Sequence, residues 1–470
     1  MRDIIRVPKN WTEQSIKNAY AMFLARRTRL LELDRAYFTG EVGSESQTYV
    51  SNNCKYICDT KASYVAGIPP AYSCAEGDEK GQAILDLYKA QIKPQLDQQL
   101  VAGCSRYGMD FEVHFCETTI TEAGNVTLTP KSVEASPLDC FVAYDESLDP
   151  DSVFGAIHYV EVDDNHKATH YLDVYDRRVK QRYMLSGEGD TASWVKVGDA
   201  TIHGFDRVPI TEYRNNPDML GDFQSILPLQ KALNEILSDR VKDKNRFASA
   251  IMVGQGVALG DTDEEVDESM GHIKDQEYIS IPRDASLNYL VKTFDEASVQ
   301  VLVDYIKGEM HKISGIPDMT DEQFAANSSG VAIQYKLLSL NNLAQSLVAQ
   351  FQKGFLRRCK LYSYVLFGED GADVEDMAIT FRFNAPADSS YDVQTMQTYV
   401  QNGAMSVRSM IENNPFVDDV DEELNRIQDE NDRADERTRR QEQDSLNLAL
   451  RDALSSEEQS GDEVTDAEAE

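Results

Sequence analysis

No apolar run in the 470 residues reaches membrane-spanning length, so nothing reads as a transmembrane helix. The opening residues, MRDIIRVPKNWTEQ, lack the apolar stretch of a secretory signal, and the expected setting is the cytoplasm. Cysteine is sparse: seven residues, odd in number and scattered. Cys54 and Cys58 stand four apart, without the Cys-x-x-Cys spacing of zinc or redox sites, and read as ordinary thiols. Positive charge is in short supply, with 46 basic residues against 81 acidic ones and a net charge of −35. That balance argues against an exposed basic surface that wraps nucleic acid, but not against a conduit through which DNA passes ungripped, and it equally suits a chain whose charge simply keeps it in solution.

Catalytic and ligand motifs are equally scarce. Gly254-x-Gly256 with Gly260 misses the dinucleotide-binding pattern, because Leu259 stands where the third glycine belongs, and no phosphate-binding P-loop occurs. DTDEEVDE resembles the start of a calcium loop, yet Val266 replaces the glycine of its sharp turn, so it reads as a solvated acidic face. His166 and His170 flank a strand-like stretch with no glutamate placed to complete a zinc site. There is no nucleophile elbow, and paired carboxylates carry no signal in so acidic a chain. The expectation is a chain that is not an enzyme, with no catalytic residue, no metal and no cofactor.

The most informative stretch that is present runs from Thr293 to about Leu366. Thr293-x-x-Glu296 has the pattern of a helix capping box. Val299, Leu302, Val303, Ile306, Met310 and Ile313 follow at three- and four-residue spacing and line one helix face. Gly315 and Pro317 end that helix. The next segment, SGIPDMTDEQFAANSSG from Ser314 to Gly330, exceeds the common connection of about four to six residues. Leu340, Ala344, Leu347, Phe351, Phe355, Cys359 and Tyr362 then mark a second helix, which at 1.5 Å per residue reaches roughly 55 Å. A compact enzyme needs no such element, whereas a subunit lining a long channel does.

Around this unit the spacing predicts helices over 12–38, ended by Gly40, and over 52–70 and 81–102. From Met109 the period turns to two. MDFEVHF, the stretch 126–134, FVAYD, AIHYVEV, THYLDVYD and RRVKQRYML read as strands of a mixed α+β part reaching about Asn216. A helix over 224–250 carries Leu229, Leu233, Ile236, Leu237 and Val241 on one face. Lys231, Arg240, Lys242, Lys244 and Arg246 lie opposite, alternating with Glu235, Asp239 and Asp243. Local ion pairing and a weak phosphate ladder facing a channel both account for them. An insert over 252–292 holds two short strand-like runs, YISI and LNYLV. AITFRFNAP (378–386) reads as a strand, 392–411 and 419–454 as helices, and the last sixteen residues as disordered.

Four stretches, taken in order, resemble the portal proteins of tailed double-stranded DNA bacteriophages, in the siphophage-type branch. The first is NNCKYICDTKASYVAGIPP, with Asn52, Ile57, Asp59, Lys61, Tyr64, Gly67 and Pro69. The second contains Pro209, Asn215, Asn216, Gly221, Asp222, Leu233, Asn234, Ser238 and Asp239. The third is ISGIPDMTDEQF with NSSGVAIQYK. The fourth is ITFRFNAPAD followed by NGAMS and NNPFVDDVDEELNRIQDE. Each is weak alone, and the ordered set is specific.

The resemblance implies an α+β, multi-domain portal fold of wing, stem, clip and crown, assembling into a ring of about twelve subunits. It implies a wing over 1–223, a first stem helix over 224–250, a clip over 251–294 and a second stem helix over 295–313. A tunnel loop follows over 314–330, then a long helix and return to the wing over 331–402, a crown over 403–454 and an acidic tail over 455–470. In this scheme Ile316, Pro317, Asp318, Met319, Thr320, Asp321, Glu322, Gln323 and Phe324 face DNA. The implied partners are further copies of the chain, double-stranded DNA read without sequence specificity, the terminase large subunit, the major capsid and scaffolding proteins, and a head-completion adaptor, with no membrane. The implied location is the capsid portal vertex. A competing reading is an acidic, calcium-dependent structural protein of a prophage or cell surface, using DTDEEVDE and DDVDEE. A nucleic-acid enzyme is a third, without a metal or nucleotide motif to support it.

Overall fold

A computed structural model of the chain describes residues 4–43, 49–120, 126–164, 166–187, 193–248, 251–255, 262–267, 286–290, 296–320, 330–371, 374–384, 396–412, 414, 417 and 420–462. Residues 1–385 form one unit and 386–470 a second.

The first unit opens with a short strand, β1 (Ile5–Arg6), and a long helix, α1 (Glu13–Thr39). The Thr12 N–H donates to Ser15 Oγ at 3.1 Å, so the first turn is capped. Gly40, at φ 73°, closes the last turn by donating its N–H to the Ala36 carbonyl. Helix α2 (Asn53–Ala66) begins where Asn52 Oδ1 accepts from the Lys55 N–H, and β2 (Ala71–Ser73) follows it. The expected helix over 81–102 is two helices, α3 (Glu79–Ala90) and α4 (Lys93–Tyr107). Ile92 breaks them at φ 54°, and Pro94 takes the first turn of the second, where a missing N–H costs nothing.

Strands β3 (Met109–Ile120), β4 (Val126–Ala135), β5 (Cys140–Tyr144), β6 (Ser152–Val162), β7 (Ala168–Tyr175) and β8 (Val179–Ser186) fall where the alternation placed them. Two more, β9 (Ser193–Ile202) and β10 (Ile210–Arg214), extend the set. One sheet has the order β1-β5-β6-β7-β8-β9, antiparallel except for the β1–β5 pair. A second, β10-β3-β4, is antiparallel throughout. The first half of α1 lays Ile16, Ala19, Tyr20 and Phe23 on Phe141, Phe154, Leu172 and Trp194 of the larger sheet. Its second half sends Leu30, Leu33 and Ala36 into a helical core instead. One helix thus ties the sheet to the helices, and each buried Leu or Phe there contributes about 1.5–3 kcal/mol.

That helical core is completed by α5 (Leu227–Ala248), α6 (Glu296–Ser314) and α7 (Gly330–Phe367). Between α5 and α6, β11 (Ile251–Gln255) pairs antiparallel with β12 (Ser286–Leu290). The run YISI lies outside the described residues. Where a strand over 378–386 was expected, β13 covers only Ala378–Thr380, paired with β2. The short β2 offers Ala71, Tyr72 and Ser73 as partners, so the ladder ends where they do.

In the second unit, α8 (Val407–Glu412) precedes α9 (Val420–Asp462). The latter enters the segment 455–470 that was expected to lack structure. Its Ser-Ser-Glu-Glu-Gln continuation holds good helix formers and no proline, so composition alone does not end the helix there. Residues 463–470 lie outside the described part.

Candidate functional site

The segment between α6 and α7 is pinned at its start. Gly315 leaves α6 in the left-handed region at φ 70°, where a side chain would be strained. Ile316 then turns fully into the core, and Met319 packs beside it. His311, one turn before the end of α6, holds the turn together. Its Nδ1 donates to the Ile316 carbonyl at 2.9 Å, its Nε2 lies 3.6 Å from Asp318 Oδ2, and its ring meets Tyr56 edge-on. The Tyr56 hydroxyl accepts from the Met319 N–H at 2.9 Å, which fastens the segment to α2. Partial burial pushes the Asp318 carboxyl up, but hydrogen bonds from the Thr320 hydroxyl and N–H, with His311 and Lys307 nearby, hold it below its ordinary value. It therefore carries its negative charge at neutral pH. Pro317 is half-buried and Thr320 is exposed. Asp321, Glu322, Gln323 and Phe324 lie outside the described residues, as does Thr293 of the proposed capping box.

On α6, Val299, Val303, Ile306 and Met310 face the core as the spacing required. Leu302 and Ile313, placed on that face by the same spacing, are exposed. They sit at the margin of the stripe, where α5 and the core no longer cover the helix.

Two of the basic residues of α5 are engaged locally. Lys231 Nζ lies 3.6 Å from Glu235 and Lys242 Nζ 3.5 Å from Asp239, both on the helix surface. Exposed i,i+3 and i,i+4 pairs of this kind are worth about 0.3–0.5 kcal/mol each. Lys244 is exposed and Arg240 half-buried. The side chain of Arg246 lies outside the described residues.

The spacing rules did not reveal what holds α7. Arg358 is fully buried. Its Nε donates to Glu112 Oε2 at 2.8 Å and its Nη2 to Asp97 Oδ1 at 2.5 Å, so α7, β3 and α4 meet on one guanidinium. Tyr213 donates to Glu112 at 2.8 Å and Tyr72 to Asp97 at 2.6 Å. Ser132 donates to the second Glu112 oxygen and receives a bond from Lys93 at 2.6 Å. Burial alone would raise the Glu112 carboxyl, but Arg358, His114 and Lys93 pull it down to about 2. Burial lowers His114 to about 3, against the opposing pull of Glu112, and leaves it neutral. One signal was present in the sequence. Arg358 stands eighteen residues after Leu340, about five helical turns, and so falls on the apolar stripe of α7.

A family model described as "Phage portal protein, SPP1 Gp6-like" matches residues 25–437. A curated relative, the "Portal protein" of Bacillus phage SPP1, is 23% identical over 393 residues, covering 80% of this chain and 74% of the relative. The chain belongs to the phage portal protein family. That family is structural, and its members are components of phage particles.

The stretches that carried the resemblance prove to be contacts in this portal-family chain. Lys61 of α2 donates to Asp222 at 2.7 Å and to Asn215 at 2.8 Å, and Ser105 donates to the other Asp222 oxygen at 2.6 Å. Asn215 also donates to Asp222 at 2.8 Å, so the buried ion pair is closed by neutral groups. Farther along, Asn234 accepts from the Ser51 N–H and donates to the Gly40 carbonyl. Ser238 accepts from the Tyr49 N–H at 3.2 Å. Two side chains of α5 thus serve the backbone of the segment before α2, much as a neighbouring strand would.

Proposed function

We propose that this chain forms a ring, of about twelve copies, through which double-stranded DNA is packaged into and ejected from a phage capsid at one vertex. In this reading α5 and α6 form the stem, and residues 251–294 form a clip that docks the terminase large subunit and later the head-completion adaptor. Residues 314–330 face the DNA. Residues 1–223 and the return of the chain through 331–402 form the wing that meets the major capsid and scaffolding proteins, and 403–454 form the crown. What supports the reading is the family match over 25–437, a span that includes α5, α6, the loop and α7.

Charge supports the assignment of the loop. Each phosphate contact adds affinity through counterion release, and a conduit that grips stalls. A loop that starts with an ionised Asp318 and continues through Asp321 and Glu322 repels phosphates instead. Changing all three to lysine should slow packaging or trap DNA in the particle. Packaging at the parental rate would remove the loop from this role and leave the family assignment standing.

A further inference from the structure

Helix α7 contains no aspartate or glutamate among its 38 residues, in a chain where 81 of 470 residues are acidic. Its buried stripe is Leu337, Leu340, Ala344, Leu347 and Phe351. On the opposite side Tyr335, Leu338, Asn342, Gln345 and Ala349 repeat at three- and four-residue spacing, all of them exposed. Tyr335 is 75% exposed and Leu338 54%, both large side chains left uncovered by the described residues. Lys353 and Lys360 prolong this stripe.

Helix α6 repeats the arrangement. Opposite its buried Val303, Ile306 and Met310 run Val301, Tyr305, Gly308 and Lys312, again at three- and four-residue spacing and without a carboxylate. Val301 is 70% exposed and Tyr305 65%. Asp304 and Glu309 border the stripe on either side. Gly308 is a second, independent observation. A glycine within a helix costs about 1 kcal/mol relative to alanine. Nothing among the described residues lies within 4 Å of a Cβ built there, and its φ is ordinary, so no contact within the described chain accounts for it. A notch in an exposed stripe suits the close approach of another helix.

We propose that the outer stripe of α6 packs against the outer stripe of α7 on a second copy of this chain. The proposal rests on the ring reading above and names the contact that would close the ring. Copies that each carry a net charge of −35 repel one another, so an interface favours surfaces free of carboxylates. The stripes of α6 and α7 are two such surfaces, and their spacing matches that of helices packed side by side. The lysines that prolong one stripe have the opposite sign to the carboxylates that border the other. Tyr305 and Tyr335 supply the large, amphipathic anchors common at protein interfaces. Two different stripes meeting head to tail give a heterologous contact, the kind that generates a ring.

Complementation between blocked variants tests this directly. Val301→Asp with Tyr305→Asp blocks one stripe, and Tyr335→Asp with Leu338→Asp blocks the other. All four positions are exposed, so far-ultraviolet circular dichroism spectra should match the parent and show each variant folded. Each double variant alone should run as a monomer in light scattering. Mixed in equal amounts they should form a dimer and nothing larger, because one intact stripe remains on each partner. Gly308→Leu, which points into open space, should likewise abolish the ring while leaving the circular dichroism spectrum unchanged. Rings from either double variant alone, or a mixture of folded variants that stays monomeric, would overturn the contact and leave the ring itself unchallenged. Absence of rings from the unmutated chain would overturn both.

Discussion

A guanidinium sealed from water is stable only if carboxylates and hydrogen bonds replace the water it loses, and Arg358 has both Asp97 and Glu112. Removing one member strands the others. Arg358→Met should lower unfolding free energy by about 3–5 kcal/mol, measured by denaturant titration, since two buried carboxylates are left facing each other. A loss below about 1 kcal/mol would mean that water already reaches the site. The pH dependence has a defined sign. Glu112 titrates lower in the folded chain than in the unfolded one, so its contribution is complete above the ordinary carboxylate range near 4.3 and is lost as pH falls toward 2. His114 is held neutral, so the folded chain resists a proton that the unfolded one takes up, and stability also falls from about pH 6.5 toward 3. In Glu112→Gln the loss between about pH 4 and 2 should shrink, with the part owed to His114 remaining.

Among the helices, α1 and its stop at Gly40 were legible because their signals are local: an apolar repeat and a glycine that tolerates φ 73°. The strands from Met109 onward were legible through their alternation. The break between α3 and α4 was not, because the apolar repeat runs on while Ile92 takes a left-handed backbone that favours glycine. Ile92 is exposed, so Ile92→Gly should relieve that strain and stabilise the chain by about 1 kcal/mol, seen as a higher melting temperature. An unchanged or lower melting temperature would show that the side chain contributes more than the strain costs. The pinning of the loop was illegible for another reason. Tyr56 and Met319 are 263 residues apart, and no spacing rule joins them. Tyr56→Phe keeps the ring against His311 but removes the acceptor for the Met319 N–H. Hydrogen exchange at Met319 should quicken markedly while the α2 amides stay protected, and unchanged exchange would show that the bond does not anchor the loop. The Lys61–Asp222 pair lies between these cases. Its members were flagged through the family resemblance, yet that they touch could be learned only from the fold.

With a net charge of −35, the chain presents both a benefit and a difficulty. In the proposed ring, a lumen that repels phosphates would let DNA slide, while the same charge would push subunits apart, which places weight on the acid-free stripes of α6 and α7. Screening confines the repulsion to about 8 Å at physiological salt, so close contacts decide whether copies stay together. The matched span 25–437 includes the helices and loop of the proposed channel, and a channel of this kind requires assembly into a ring. Negative-stain microscopy of the purified, unmutated chain tests it most directly. The prediction is a ring of uniform diameter with a central hole, built from about twelve copies. Isolated monomers or small dimers at all protein concentrations would contradict it.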